Sequence, residues 1–157
     1  MRKRTIQQYD SDGLITDTQW LALDDIATVE VTSEAPAFEI ENALLYRAIG
    51  GWRAAFPGDQ TIRIIFDRPQ AIKRIWLHFL EREVERTQEF TLRWLPADGG
   101  DFQEIIRQQW NFSPTGSVKE TEDYAVDLPA VKQLELNIKP DQGNIEAYAS
   151  IAQLRLA

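Results

Sequence analysis

Period-two alternation dominates this chain, and it limits the fold more than any other feature. Ile62, Ile64 and Phe66 alternate with Thr61, Arg63 and Ile65. Ile75, Leu77 and Phe79 alternate with Arg74, Trp76 and His78. The same rhythm returns at Phe90, Leu92 and Trp94, at Tyr124, Val126 and Leu128, and at Leu134, Leu136 and Ile138. Successive side chains of an extended strand point to opposite faces, so each stretch reads as a strand with one face on a core. The breaks carry turn chemistry: Pro57-Gly58-Asp59, Asp67-Arg68-Pro69, Pro96-Ala97-Asp98-Gly99-Gly100-Asp101, Ser113-Pro114-Thr115-Gly116 and Pro140-Asp141-Gln142-Gly143-Asn144. Glycine and proline there supply turn dihedrals and stop the ladder. No long amphipathic helix interrupts the pattern, and residues 40–48 hold at most one helical turn. The expected fold is all-β: an antiparallel β-sandwich of the jelly-roll type, with about eight main strands.

The 157 residues suffice for one domain with a real core. Residues 1–19 are polar, with a turn at Asp10-Ser11-Asp12-Gly13, and read as an arm. Residues 20–157 read as the single domain. Five Trp and seven Phe supply large side chains to bury. The net charge of -8 repels phosphate backbones and anionic lipid, so neither nucleic acid nor a membrane is an expected partner. Cysteine is absent, which excludes disulfides and favours a reducing compartment. Met1-Arg2-Lys3-Arg4 is followed by no apolar core, so no signal peptide is read. The expected location is the cytoplasm.

Several runs, taken in order, resemble the discoidin family, also called the coagulation factor 5/8 type C fold, which overlaps the family 32 carbohydrate-binding modules. They are Val29-Glu30-Val31-Thr32-Ser33-Glu34, Glu41-Asn42-Ala43-Leu44, Gly51-Trp52-Arg53-Ala54, Gln60-Thr61-Ile62-Arg63-Ile64-Ile65-Phe66-Asp67 and Ala149-Ser150-Ile151-Ala152-Gln153-Leu154-Arg155-Leu156. The resemblance implies a jelly roll with both termini near one end. It implies ligand binding, without catalysis, through loops at the other end. It also implies a buried Trp52. Many sugar-binding members hold a structural calcium with an Asp after the Asn-Ala-Leu stretch and a Glu on the last strand. Here Leu45-Tyr46 and Gln153 stand in those places. Calcium needs several hard oxygen ligands, so no cofactor is expected and the family calcium site reads as lost.

Common catalytic chemistry finds little footing. One His and no Cys exclude a zinc site. A hydrolase triad would need His78 as base, and His78 lies mid-strand, where it reads as a polar side chain on the outer face or as a satisfied core histidine. Gly50-Gly51 leads into a strand rather than a helix, which excludes a phosphate loop. Asp24-Asp25, Glu81 with Glu83, and Glu120-Thr121-Glu122-Asp123 offer paired carboxylates, but a chain with 25 acidic residues produces such pairs by chance. The chain reads as no enzyme.

Binding candidates lie in loops. In Glu81-Arg82-Glu83-Val84-Glu85-Arg86-Thr87, Arg82 matches by position the Arg with which sugar-binding relatives grip hydroxyls; the Asn that follows in them has no match, and Arg86 or Thr87 lies nearest. A guanidinium offers fixed donors suited to hydroxyls and carboxylates. The plain alternative is a set of solvated surface ion pairs. Tyr46, Tyr148 and Trp110 sit beside loops and supply aromatic faces. The expected ligand is a carbohydrate, contacted by Arg82, Arg86, Tyr46, Tyr148 and Trp110. The alternative is a protein ligand, the chain then being a cytoplasmic interaction module or a homodimer formed through outer-face Trp76, Leu80 and Leu95.

Overall fold

The alternating stretches at 62–66 and 75–79 prove to be one strand. In the computed structural model, which describes Met1 and residues 20–157, β3 runs unbroken over Gln60–Leu80. The arm read for residues 1–19 lies, apart from Met1, outside the described residues. Likewise 124–128 and 134–138 belong to one strand, β6, Lys119–Lys139. The other elements are helical turns α1 (Leu23–Ile26) and α2 (Glu41–Leu44), and strands β1 (Ala27–Val31), β2 (Trp52–Arg53), β4 (Arg86–Pro96), β5 (Gln103–Phe112), β7 (Ser150–Ile151) and β8 (Gln153–Leu156).

β3 and β6 pair antiparallel along both halves, with register shifts between Ile65 and Arg74. Pro69 and Pro129 fall where that pairing is irregular, so their missing N–H groups break no regular ladder bond. The two strands bend there and serve both layers of the sandwich. One layer is β1, the first half of β3, the second half of β6, β4 and β5; the other is β8, the second half of β3 and the first half of β6. β2 and β7 form a separate two-stranded ribbon. The architecture is the all-β antiparallel sandwich expected from the alternation.

Between the layers lie Ile62, Ile64, Ile75, Leu77, Phe79, Phe90, Leu92, Leu134, Leu136 and Ile138, all buried. Burying each such side chain stabilises the fold by about 1.5–3 kcal/mol. Trp76 and His78 lie on the opposite face of β3, yet they too are covered, their rings stacked at 5.8 Å. Trp76 pairs with Arg155 of β8, whose guanidinium donates to the carbonyls of Ala43 (2.7 Å) and Leu45 (3.1 Å). These bonds draw α2 over that face. The expected exposed dimer face is therefore corrected: Trp76 is buried, and Leu80 and Leu95 are only partly exposed.

β5 carries no clean alternation because Ile105 is a bulge. Leu92 pairs with Ile106 and Arg93 with Glu104, leaving Ile105 unmatched. Leu21 N–H donates to Leu156 O at 2.8 Å, so the first described segment of the domain runs beside the last strand. No helix among the described residues is long and apolar enough to cross a membrane.

Candidate functional site

The strand ends converge on Arg86. Its guanidinium pairs with Glu81 just beyond β3 (Nε–Oε1 2.8 Å), and donates to Gln88 Oε1 of β4 (3.0 Å) and to Pro140 O just beyond β6 (2.8 Å). It also stacks over Phe112, the last residue of β5, at 4.9 Å. With 3% of its surface accessible, Arg86 is a clamp at this end of the sandwich and has no surface to offer a ligand. That corrects its expected role as a sugar contact: the alternation that begins β4 turns Arg86 inward.

On the outer side of this end lies a pocket of about 370 Å³. Its floor is His78, Leu80 and Gln153, where β3 and β8 lie side by side; its walls are Phe38, Ile49 to Arg53 and Ser150 to Ala152; its rim is Glu81, Arg82 and Glu83. Each wall has a local cause. Trp52 is buried and its indole N–H donates to Ser33 O at 3.0 Å, which fixes β2 under the pocket. Gly51 adopts φ +68°, and a Cβ there would stand 2.8 Å from Ile151 O, so only glycine lets this loop close against β7. Arg53 N–H donates to Phe38 O at 3.2 Å and its guanidinium lies over the Phe38 ring at 5.2 Å. His78 Nδ1 lies 2.8 Å from Thr121 Oγ1, a hydrogen bond that fixes the ring on the pocket floor.

Arg82 stands exposed on the rim. Among the described residues it holds no ion pair and no side-chain hydrogen bond. Glu83 beside it is also exposed, whereas Glu81 is tied to Arg86. The pocket thus combines an open guanidinium, a neighbouring carboxylate, a polar floor and the apolar surfaces of Phe38, Ile49 and Leu80. A few fixed polar groups in an otherwise apolar cleft of this size suit a small polar ligand with one apolar face.

The other sequence candidates scatter. Tyr148, 46% exposed, lies two residues from Ser150 and does not line the pocket. Tyr46, beside Arg47 at 5.8 Å, lines a separate cleft of about 290 Å³ with Trp20, Leu44 and Arg155. Trp110 is half-buried on β5 opposite Gln88 and packs against the core. Neither reaches the pocket with Arg82. Sequence reasoning passed over Phe38 and Arg53 as site residues, read Gln153 only as standing in the place of a family calcium ligand, and set His78 aside as an unsuitable base. One signal was available. Gly50-Gly51, weighed only as a phosphate loop, marks the place where the chain presses against β7 and closes the pocket.

No family model matches the chain, and no curated protein matches it. Solved structures do. The family 32 carbohydrate-binding module of Clostridium perfringens NanJ, in complex with galactose, superposes with a TM-score of 0.64 at 12% identity, over 87% of this chain and 96% of that one. The corresponding module of AlyQ, in complex with 4,5-unsaturated mannuronic acid, gives 0.60 at 14% identity, over 85% and 95%. A third such module, from a family 31 glycoside hydrolase of Clostridium perfringens, gives 0.61 at 16%, over 87% and 93%. The chain has the galactose-binding-domain-like fold of the family 32 modules.

Proposed function

We propose that this chain is a non-catalytic carbohydrate-binding module that takes a sugar residue into the pocket beneath Arg82. The observation that carries the reading is an exposed guanidinium with no partner among the described residues, standing over a pocket of about 370 Å³ at the loop end of the sandwich. The planar donor fork suits a pair of sugar hydroxyls or a sugar carboxylate. Phe38, Ile49 and Leu80 offer the apolar surface against which the C–H face of a pyranose packs. Similar folds hold galactose and 4,5-unsaturated mannuronic acid, which supports the ligand class. Glu81 is bound to Arg86, so the Glu81–Glu83 pair lacks the two free carboxylates that glycoside hydrolysis needs.

The reading includes no calcium. Ala43 O and Leu45 O, oxygens of the kind a hard cation seeks, already accept from Arg155, and that buried cation repels another. Chelator or added calcium is expected to leave the melting temperature unchanged. A calcium-dependent rise would reverse this part of the reading.

Titration calorimetry with galactose, galacturonate, mannuronate and fucose tests the sugar. Saturable binding to at least one is expected, and Arg82→Ala should weaken it by about 10- to 100-fold, the loss of charge-assisted hydrogen bonds. No binding at millimolar sugar, or binding indifferent to Arg82→Ala, would overturn the proposal.

A further inference from the structure

On this segment the pocket's lining stops at Ser150, but the ribbon that carries it does not. The ribbon of β2 and β7, which forms its wall, continues past its formal ends: Ala54 N–H donates to Ala149 O at 2.9 Å, and Gly58 N–H to Ala147 O at 3.0 Å. Burial alternates along it. Ala147, Ala149 and Ile151 are buried, while Tyr148 is exposed and Ser150 partly so; on the other strand Trp52 and Ala54 are buried and Arg53 is exposed. The outer face of the ribbon therefore presents Arg53 and Ser150, which line the pocket, and next along the strand Tyr148. Ser150 and Tyr148 are two residues apart, or roughly 7 Å in an extended strand. That step is comparable to one sugar residue of a glycan.

Phe56 belongs to the loop that the Gly58–Ala147 bond holds beside this strand, and it is 65% exposed; Tyr148 is 46% exposed. Neither belongs to the core cluster. Aromatic rings left open beside a cleft are the surface on which sugar rings stack, because the ring face meets C–H groups while the hydroxyls stay in water.

We infer that the pocket is the first subsite of a longer groove whose second subsite is the shelf formed by Tyr148 and Phe56, and that the ligand is an oligosaccharide rather than a single sugar. This rests on the sugar reading of the pocket and adds to it a direction and a length. The occupant is the next residue of the same glycan. Continuity of the shelf with the pocket through Arg53 and Ser150 favours it over an unrelated partner.

Calorimetry on the full chain compares galactose with β-1,4-galactotriose, galacturonate with trigalacturonate, and mannuronate with trimannuronate. For the sugar that the pocket accepts, the trisaccharide should bind about tenfold more tightly than its monosaccharide, as expected of one or two ring stacks. Tyr148→Ala and Phe56→Ala should each remove part of that gain, leaving monosaccharide affinity and melting temperature unchanged. Tyr148→Phe should keep it, since stacking needs the ring and not the hydroxyl. If monosaccharides bind but trisaccharides bind no better, or the gain survives both alanine substitutions, the second subsite is wrong and the pocket stands. If no sugar binds, both fall. Sedimentation adds a last check: a dimer dispersed by Tyr148→Ala would assign the shelf to a second copy and overturn the inference.

Discussion

Arg82 and Arg86 are one turn of loop apart and have opposite lives. Arg82 sits on the rim of the pocket, exposed and without a partner among the described residues. Arg86 lies beneath the same loop, buried, its charge met by Glu81 and its donors by Gln88 and Pro140. Composition and local sequence are nearly the same for both. What differs is their place in the chain: Arg82 lies in the bend after β3, whereas Arg86 opens β4 and is held inward by its partners. The lesson is that one short segment both closes the sandwich and equips its mouth, with a separate arginine for each task.

The sharpest way to break the comparison is Arg86→Ala. It leaves Glu81 without its cation and strips the clamp from the ends of β3, β5 and β6. A loss of about 3–5 kcal/mol is expected in denaturant unfolding, as for one half of a buried ion pair. A loss under about 1 kcal/mol would mean that the clamp is incidental.

The next effect concerns the interior that Arg86 adjoins. Glu120 is buried on β6, its carboxylate accepting from Gln88 at 3.3 Å. Burial, and then the neighbouring Glu122, push its pKa up to about 8. Glu135 is buried too, and burial alone would push it up, but bonds from Arg93 and Arg63 outweigh that and hold it below its ordinary value. Asp141, held by the N–H groups of Thr87 (2.6 Å) and Asn144 (2.7 Å) against its own burial, is likewise lowered. The signs are opposite. For Glu120 the folded state keeps its proton longer than the unfolded chain, so its contribution is full below the usual carboxylate range and is lost as pH rises towards about 8. For Glu135 and Asp141 the contribution is present at neutral pH and lost in acid. Stability should peak in mildly acidic solution. Glu120→Gln, which keeps the Gln88 bond without a charge, should flatten the alkaline decline and raise stability near pH 9 by roughly a few kcal/mol. An unchanged pH profile in E120Q would show that Glu120 is not the group responsible.

Arg82→Ala should do least to the fold. A change within about 0.5 kcal/mol is expected, because an exposed side chain without a partner contributes little. The same variant should lose sugar binding. Loss of binding without loss of stability in R82A, against loss of stability in R86A, is the pattern that separates rim from clamp.

Much of this fold was legible in the sequence. The alternating stretches fell on the strands that carry the core, and the Pro- and Gly-containing breaks fell on turns or bends. β5 was hidden because Ile105 bulges and spoils its alternation. The continuity of β3 and β6 was hidden because Asp67-Arg68-Pro69 reads as a turn, whereas here it is a bend within a strand that keeps its partner. Of the site, Arg82 could be found from its place after a strand. Phe38, Arg53 and Gln153 could not, because they come from three distant segments and nothing local marks them as neighbours.

What the sequence determined by itself is the alternating segments and the apolar side chains they turn to the core, since a period of two leaves one face for the core and one for water. What only the tertiary structure decided is which polar side chains remain free. Arg82, Arg86, Glu81 and Glu120 belong to types that, read singly, all look like surface. Burial and a partner are properties of where the other strands arrive. That arrival is set by long-range pairing and by the bend shared between β3 and β6, which no local window of the chain contains.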